Sequence, residues 1–242
     1  MVWKANGMVR EYKGQHQKLE ERLGYTFKDK QYLLLALTHS TYAYEHRRDG
    51  VVSNQRLEFL GDAILDFVIG EEIYRRRTHW DEGKLSKTRA LVVCEKTLAK
   101  VADTLSVGNL LALGKGEECT GGREKISTLA DTMESLFAAV YLDGGFDQAK
   151  TVILSCLTPY VEQAVSGKLI FDYKSKLLEK AQTKNDPHEV SFKVIEEIGP
   201  VHDCVFVVAV MLDGAEYVRA QGKSKKEAEQ EASRIALEKW KQ

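Results

Sequence analysis

The spacing of apolar residues changes once along the chain, near residues 165–168. Before this point apolar residues recur every three to four positions, which is the repeat of an α-helix. After one further helix, residues 190–195 alternate as a strand does, a valine-rich run covers 204–212, and Asp213-Gly214 marks a hairpin. The pattern predicts an all-α N-terminal domain followed by a smaller α+β domain with the order α-β-β-β-α.

The change in apolar spacing also predicts the domain limits. We expect an N-terminal tail at 1–18, a helical domain at 19–167, a linker at 168–171 and the α+β domain at 172–242. The clearest helices run from Leu57 to about Arg76, with Ser53 or Asn54 as N-cap, and from Thr128 to Leu142. Less distinct helical patterns cover Gln31–Thr38, Lys84–Leu105, Phe146–Val165, Tyr173–Thr183 and Lys225–Trp240.

Composition constrains the function only loosely. The 35 basic and 36 acidic residues leave a net charge of −1, and residues 172–242 contain 12 basic and 13 acidic residues, so any case for nucleic acid depends on where the lysines lie. The four cysteines have no zinc-like spacing, and no apolar run is long enough to span a bilayer. The first residues lack an apolar segment typical of secretion. We expect a cytoplasmic protein without membrane contact or small-molecule cofactor.

Two pairs of acidic residues stand at helical spacing. Glu58 and Asp62 are four residues apart on one helix, and Asp131 and Glu134 are three apart on another, so each pair shares a face. Four carboxylates facing each other would repel, and hard divalent cations with oxygen ligands remove that repulsion, with Mg²⁺ fitting best. Such a site can activate water and stabilise an in-line displacement at phosphorus.

The second acidic helix is predicted to be buried nearly all round. Ala138 and Leu142 lie on the same side as its acids, opposite the main apolar stripe, and carboxylates there are costly unless paired or metal-bound. The alternative is that the acids form a solvated face with surface ion pairs. Paired acids at helical spacing more often indicate such a face than a metal site. Asp66, one turn beyond Asp62, shares this ambiguity. Gly61 inside an apolar helix hints at close approach by another backbone or a ligand.

Residues 54–66 (Asn-Gln-Arg-Leu-Glu-Phe-Leu-Gly-Asp-Ala-Ile-Leu-Asp) resemble the signature segment of the ribonuclease III family. Residues 37–40, 129–134 and 141–145 match other family segments in order and spacing. The resemblance implies that Glu58, Asp62, Asp131 and Glu134 bind catalytic Mg²⁺, that Mn²⁺ substitutes, and that Asp62 and Glu134 are catalytic. It also implies a homodimer whose two sites each cut one strand of an RNA duplex, leaving 5′-phosphates, 3′-hydroxyls and short 3′ overhangs.

The same resemblance bears on four further positions. Glu82 stands where the family often has another acid lining the valley between the two sites, although a solvated loop acid is an equal alternative. Phe59 is a candidate dimer contact, with ordinary core packing as the alternative. Gln55 replaces the family's usual glutamate, which puts the rate or selectivity in question. His39 is better explained as a buried, hydrogen-bonded histidine than as a general base.

The last helix opens with lysines where a helix does not favour them. Ser224 and Glu227 form a capping box, and Lys223, Lys225 and Lys226 place positive charge at the positive end of the helix dipole. Exposed N–H groups, the dipole and three ammonium groups suit phosphate. A solvated charge run is the alternative, weakened by the cost to the helix.

This segment resembles the phosphate-binding motif of double-stranded-RNA-binding domains, which read duplex shape across about 16 bp. The resemblance implies that Glu179 and Gln182 reach one minor groove and that His202 reaches another. Leu178 replaces a common glutamine, so one groove contact is expected to be missing. Taken by itself, His202 would more often be just an exposed loop histidine.

The sequence therefore predicts a Mg²⁺-dependent endoribonuclease that cuts double-stranded RNA, such as ribosomal and messenger RNA precursors. The main alternative is a non-catalytic double-stranded-RNA-binding protein on the same fold, for example in ribosome assembly. Retention of all four acids favours the enzyme. A hydrolase of small phosphates would leave the lysine-rich helix unexplained.

Overall fold

The computed structural model describes residues 12–183, 187–200 and 204–240. The chain divides into two compact units, Met1–Leu169 and Ile170–Gln242, and the division falls inside the segment expected to be a linker. Within the described ranges, no helix has the length and apolar character needed to cross a membrane.

The first unit is helical, as predicted. In the described residues its only β contact is an isolated bridge between Thr38 and Ala112. Two short 3-10 helices cover Arg47–Asp49 and Val107–Leu110. The α-helices are α1 (Gly14–Leu23), α2 (Lys30–Ala36), α3 (Ser40–Glu45), α4 (Gln55–Arg76), α5 (Glu82–Val93), α6 (Glu95–Leu105), α7 (Lys115–Cys119), α8 (Ile126–Gly144) and α9 (Phe146–Val165).

Three details differ from the sequence-based expectation. Helix α1 begins at Gly14, inside the segment expected to be a tail, because Leu19 and Leu23 are buried in the core. The helix expected at Lys84–Leu105 is two helices, since Cys94 adopts an extended conformation and ends α5. Helix α4 begins at Gln55, two residues before the predicted start at Leu57, although Asn54, one of the two predicted N-caps, is in the N-cap position.

Helix α8 is the central helix of this unit and packs against α2, α4, α6 and α9. Its side chains are buried on nearly every face, including Met133, Phe137 and Ala138, as the sequence predicted. Leu142 is 44% exposed, so the expectation that it would be buried was wrong. It lies close to the C-terminal end of α8, and Ile126 at the other end is exposed as well.

The second unit has the predicted order α-β-β-β-α. It contains α10 (Tyr173–Ala181), β1 (Val190–Ile198), β2 (Val205–Leu212), β3 (Ala215–Gly222) and α11 (Lys225–Lys239). The strands form one antiparallel sheet in the order β1-β2-β3. Both helices contribute to its core, which contains Leu177, Val210, Ala220, Ala232, Ala236 and Leu237.

The hairpin between β2 and β3 follows from its two turn residues. Asp213 and Gly214 both have positive φ, 50° and 81°, which is the conformation of the tight turns that match strand twist. The Asp213 carboxylate accepts a hydrogen bond from the Glu189 N–H at 2.8 Å and lies 2.6 Å from His188 Nδ1. The turn is therefore fixed to the residues that lead into β1.

Candidate metal centre and nucleic-acid interface

Helices α4 and α8 touch backbone to backbone at Gly61. A Cβ at this position would lie 1.9 Å from the carbonyl oxygen of Glu134, so no larger residue fits without moving one helix. The close approach that Gly61 hinted at is therefore made by the backbone that carries Glu134. Because Gly61 lies between Glu58 and Asp62, it holds the two acidic faces against each other.

Asn54 fixes the start of α4 from inside the core. It is 2% exposed; its backbone N–H donates to Thr38 O and its side-chain Nδ2 donates to Ala36 O. Its own carbonyl oxygen accepts a hydrogen bond from Ser135 Oγ on α8 at 3.3 Å. One buried amide residue thus links the end of α2, the beginning of α4 and the acidic segment of α8.

Three of the four predicted acids meet between these helices. Oxygen atoms of Glu58, Asp131 and Glu134 all lie within 4.8 Å of one another, and all three side chains are half-buried. Asp62, one turn along α4, is exposed. Its charge nevertheless acts on the cluster, because it raises the pKa of both Glu58 and Glu134. The four acids therefore form a half-buried trio with one exposed neighbour.

The electrostatics of the trio are unfavourable without a cation. Burial, followed by the negative charges of Asp62, Asp131 and Glu58, raises the pKa of Glu134 to about 8. Burial also raises the pKa of Glu58 and, with the charge of Glu95, that of Asp131. In each of the three carboxyl groups, the ionised form is therefore less favourable than it would be in water.

The residues present fit a hard divalent cation. All donors of the trio are carboxylate oxygens, and they lie close enough together for the group to hold a metal ion after small side-chain adjustments. Mg²⁺ binds such oxygens at about 2.0–2.1 Å and Ca²⁺ at somewhat longer distances. A bound cation would also remove the repulsion that raises the pKa values. The cluster can therefore hold a metal ion, and its chemistry excludes soft, thiolate-preferring metals as its natural occupant.

Glu95 is an acid that sequence reasoning missed. It is the exposed first residue of α6, and its charge raises the pKa of both Asp131 and Glu134. No motif marks it. Recognising that the helical segment breaks at Cys94 would have placed Glu95 at the start of a separate helix, α6. The sequence has no glycine or proline at this point to indicate the break.

Two ambiguous residues receive definite partners. Asp66 faces Arg89 of α5, with 3.7 Å between the carboxylate and guanidinium. His39 is half-buried, not buried as expected, and caps α3: its Nδ1 accepts the Thr41 N–H at 3.3 Å and lies 2.8 Å from Thr41 Oγ1. These contacts orient the imidazole at the start of α3, in keeping with a hydrogen-bonded rather than a free histidine.

The lesser candidates of the first unit are all exposed. Gln55 is the first residue of α4, and its side-chain oxygen accepts a hydrogen bond from Ser53 at 3.2 Å. Glu82 begins α5 and accepts one from Ser86 at 2.7 Å. Phe59 is 82% exposed, so the alternative that it packs in the core of its own chain was wrong.

In the second unit, the start of α11 is built as a cap. Ser224 Oγ accepts the Glu227 N–H at 3.2 Å, and the Glu227 carboxylate accepts the Lys223 N–H at 2.9 Å, one residue earlier than the expected capping box would place it. A Cβ at Gly222 would lie 2.4 Å from Ala228 N, so β3 runs directly against this helix end.

The three lysines are exposed around this cap. Lys225 also forms an ion pair with Glu197 of β1, with 3.0 Å between Nζ and Oε1. Glu179 and Gln182 are exposed at the end of α10, and Leu178 beside them is half-buried. His202 lies outside the described residues.

An acidic centre that can hold a divalent cation, in a helical unit followed by an α-β-β-β-α unit with a lysine-rich helix end, is the arrangement expected of a metal-dependent nuclease with its own nucleic-acid-binding domain. A family profile described as Ribonuclease-III-like matches residues 29–161, and one described as Double-stranded RNA binding motif matches residues 173–240.

Curated relatives agree over most of the chain. "Ribonuclease 3" of Caldanaerobacter subterraneus is 46% identical over 91% of this chain and 96% of its own length, and that of Pelotomaculum thermopropionicum is 44% identical over 90% of each. A solved nuclease domain of ribonuclease III from Campylobacter jejuni is similar with a TM-score of 0.55 and 43% identity, covering 59% of this chain and 96% of that one. The chain therefore belongs to the ribonuclease III family of double-stranded-RNA endoribonucleases.

Proposed function

We propose that this protein hydrolyses phosphodiester bonds of double-stranded RNA in a Mg²⁺-dependent reaction, leaving 5′-phosphate and 3′-hydroxyl ends with short 3′ overhangs. Its substrates would be duplex regions of ribosomal and messenger RNA precursors. The observation that carries this proposal is the trio of half-buried carboxylates within 4.8 Å, where burial and then the neighbouring negative charges raise the pKa of Glu134 to about 8. A non-catalytic RNA-binding protein would have no use for so costly an arrangement.

The roles of the acids follow from their positions. Glu58, Asp131 and Glu134 would hold the metal from the protein side, and the exposed Asp62 would complete the site from the solvent side, where the scissile phosphate arrives. When bound, Mg²⁺ supplies a Lewis acid that lowers the pKa of water and stabilises charge at phosphorus. Mn²⁺ shares its preference for oxygen and is expected to substitute. Asp62 and Glu134 are the proposed catalytic residues.

The second unit would bring the duplex to this centre. Its match to a double-stranded-RNA-binding motif supports RNA as the partner. We infer that Lys223, Lys225 and Lys226 contact phosphates through their exposed ammonium groups, and that the first N–H groups of α11 add to this attraction. Glu179, Gln182 and His202 remain proposed groove contacts.

A surface of the first unit favours a homodimer. Phe59 on α4 is exposed, and its sequence neighbour Leu60 lines a cavity of about 420 Å³ together with Tyr32, Leu35 and Leu142 among others. A projecting ring and a cavity on one face are self-complementary across a two-fold axis. The similar Campylobacter jejuni nuclease domain is described as having structural flexibility in a region involved in dimer formation. We infer that Phe59 of each subunit enters the cavity of the other.

Phe59→Ala tests this dimer. Sedimentation of the parent protein at micromolar concentration should give a dimer, and a fragment ending near Gly167 should do the same because the contact lies in the first unit. The variant should shift towards a monomer. Tyr44→Ala, which removes another exposed ring from α3, serves as the control. A parent protein that sediments as a monomer would refute the dimer.

The catalytic proposal is tested by cleavage of a long RNA duplex. Cutting should require Mg²⁺ or Mn²⁺, cease in EDTA and return when the metal is restored in excess. The same sample in a gel-shift assay should bind the duplex without metal. Binding that is never followed by cleavage, under any metal, would favour the non-catalytic alternative.

A further inference from the structure

One lysine of the proposed phosphate-binding set already has an anionic partner within its own domain. The Lys225 ammonium lies 3.0 Å from the Glu197 carboxylate and 5.4 Å from the centre of the Phe206 ring. Both charged side chains remain more than half exposed, 58% and 51%. The pair therefore lies at the surface, where an incoming phosphate can reach it.

The register of the sheet puts these residues together. Glu197 on β1 is paired with Phe206 on β2, and Phe206 is paired with Gly222 on β3. Gly222 leads, through Lys223 and Ser224, directly into α11. One row across the three strands thus ends at the start of the lysine-rich helix. Lys225 extends back along this row, over the Phe206 ring, to the carboxylate at the far strand.

A β-bulge decides which of two adjacent glutamates occupies that row. The register of β1 against β2 shifts between Val194 and Glu196, which leaves Ile195 as the extra residue. Without the bulge, Glu196 would stand opposite Phe206 and Glu197 would lie beyond it. Bulges commonly redirect side chains in this way. Glu196 is an exposed acid of the same strand that is outside the ion pair with Lys225, so it is a natural control.

We propose that Glu197 is an internal competitor for RNA phosphate: it holds Lys225 in the RNA-free protein, and duplex binding must displace it. The inference rests on the proposed role of Lys225 in gripping phosphate. A carboxylate is a weaker partner for lysine than a phosphate on a highly charged duplex, so the exchange favours RNA. Breaking the ion pair nevertheless reduces the contribution of Lys225 to the free energy of RNA binding.

The competition has two measurable consequences. Removing the Glu197 charge should tighten duplex binding by roughly two- to fivefold, the range expected for one exposed ion pair. It should also steepen the salt dependence. A lysine that is no longer neutralised within the protein releases more cations from the duplex when it binds. The slope of log affinity against log salt should therefore steepen by up to roughly 0.9, the value per phosphate contact for B-DNA.

The experiment uses the full-length chain, a labelled RNA duplex and EDTA, so that binding is measured without cleavage. Glu197→Gln is compared with the matched variant Glu196→Gln, which removes the same charge from the next residue of the strand. Both substitutions are made again in a Lys225→Ala background. Thermal melting checks that each variant folds, which the exposure of these side chains favours.

Glu197→Gln should tighten binding and steepen the slope clearly more than Glu196→Gln does, and this excess should vanish when Lys225 is absent. Equal effects of the two variants would mean a general charge effect and would overturn the proposal. Weaker binding by Glu197→Gln would mean that the carboxylate orients Lys225 for RNA, and would overturn it as well. Lys225→Ala alone reports separately on the phosphate contact: unchanged affinity there would contradict the proposed function of this helix end.

Discussion

The acidic centre between α4 and α8 and the lysine-rich start of α11 are both clusters of like charge, but they differ in burial. The first consists of the half-buried Glu58, Asp131 and Glu134, whose pKa values are raised by burial first and by neighbouring negative charges second. The second consists of side chains that are exposed to solvent: Lys223, Lys225 and Lys226. Water screens the second cluster and only partly reaches the first.

This difference separates two kinds of binding site. A half-buried cluster needs a compact, highly charged ion at a fixed point, which suits a metal that must be placed within a fraction of an ångström for chemistry. An exposed cluster needs only a diffuse partner such as a phosphate backbone, and it can be tuned by a neighbouring charge such as Glu197. The acidic site is therefore expected to respond sharply to single substitutions, and the basic site gradually.

The largest expected effect is that of Glu134→Ala. Cleavage of an RNA duplex should fall by on the order of a thousandfold, about 4 kcal/mol of transition-state stabilisation, because the metal loses a ligand. Duplex affinity in EDTA should stay close to that of the parent protein, since the second unit still binds RNA. Cleavage and gel-shift assays on one preparation measure both. Near-normal cleavage by the variant at low Mg²⁺ would contradict the assignment of Glu134 as a metal ligand.

Gly61→Ala should have the next largest effect, and it tests whether the acidic centre depends on placement. The added Cβ would overlap the Glu134 carbonyl oxygen, so α4 and α8 must separate, at a cost of about 1–3 kcal/mol or more. A displacement of about 1 Å can reduce catalysis about a hundredfold. Thermal melting and cleavage rates check the two effects.

Gly70→Ala, in the same helix, is the matched control. Its Cβ would meet nothing nearer than the Arg89 side chain at 3.6 Å, so the helix should gain about 0.5–1 kcal/mol and cleavage should be unchanged. If the two alanine variants behaved alike, the close contact at Gly61 would not be what holds the acids together.

The two clusters also differ in how far the sequence predicts them. Each acidic pair lies on one helix, so helical spacing was enough to group Glu58 with Asp62 and Asp131 with Glu134. The approach of α6, which adds the charge of Glu95, depends on tertiary packing and on a helix break without glycine or proline. Periodicity is a local property and carries no information about either.

In the second unit the sequence predicted the order of elements, the Asp213-Gly214 turn and the capping residues Ser224 and Glu227. It did not predict that Lys225 meets Glu197. That contact depends on the register of β1, which the bulge at Ile195 shifts by one residue. A one-residue difference exchanges Glu197 for Glu196, and strand propensity does not distinguish the two registers.

Replacing Lys223, Lys225 and Lys226 together by Ala tests the gradual response of the exposed cluster. Duplex affinity should fall by on the order of tenfold for any sequence alike, and the salt slope should flatten by roughly 0.9 for each phosphate that the protein no longer touches. The cap formed by Ser224 and Glu227 survives, so circular dichroism should show an intact helix. Unchanged affinity and an unchanged salt slope would mean that these lysines form a solvated face and do not contact RNA phosphates.

The smallest expected effect is the pH dependence of stability in the metal-free protein, which tests the burial of the acidic centre directly. The pKa of Glu134 is about 8 in the folded chain and 4.5 as an ordinary carboxyl, so between these values the folded state binds more protons than the unfolded state. Stability should therefore fall as pH rises from about 4.5 towards 8, by far less than the roughly 1.4 kcal/mol per pH unit of a fully buried carboxyl, because solvent partly screens this half-buried group.

Glu134→Gln has no carboxyl to titrate and should show a flatter profile, with its largest advantage over the parent near pH 8. Mg²⁺ should stabilise the parent most at that same pH, because it replaces the proton as the partner of the carboxylates. Denaturant unfolding in EDTA across this range measures the profiles, and the difference between the two proteins cancels contributions from the second unit. If the parent protein and Glu134→Gln gave parallel curves of stability against pH, water would screen the acidic trio as well as it screens the lysines. Burial would then not explain the difference between the two clusters.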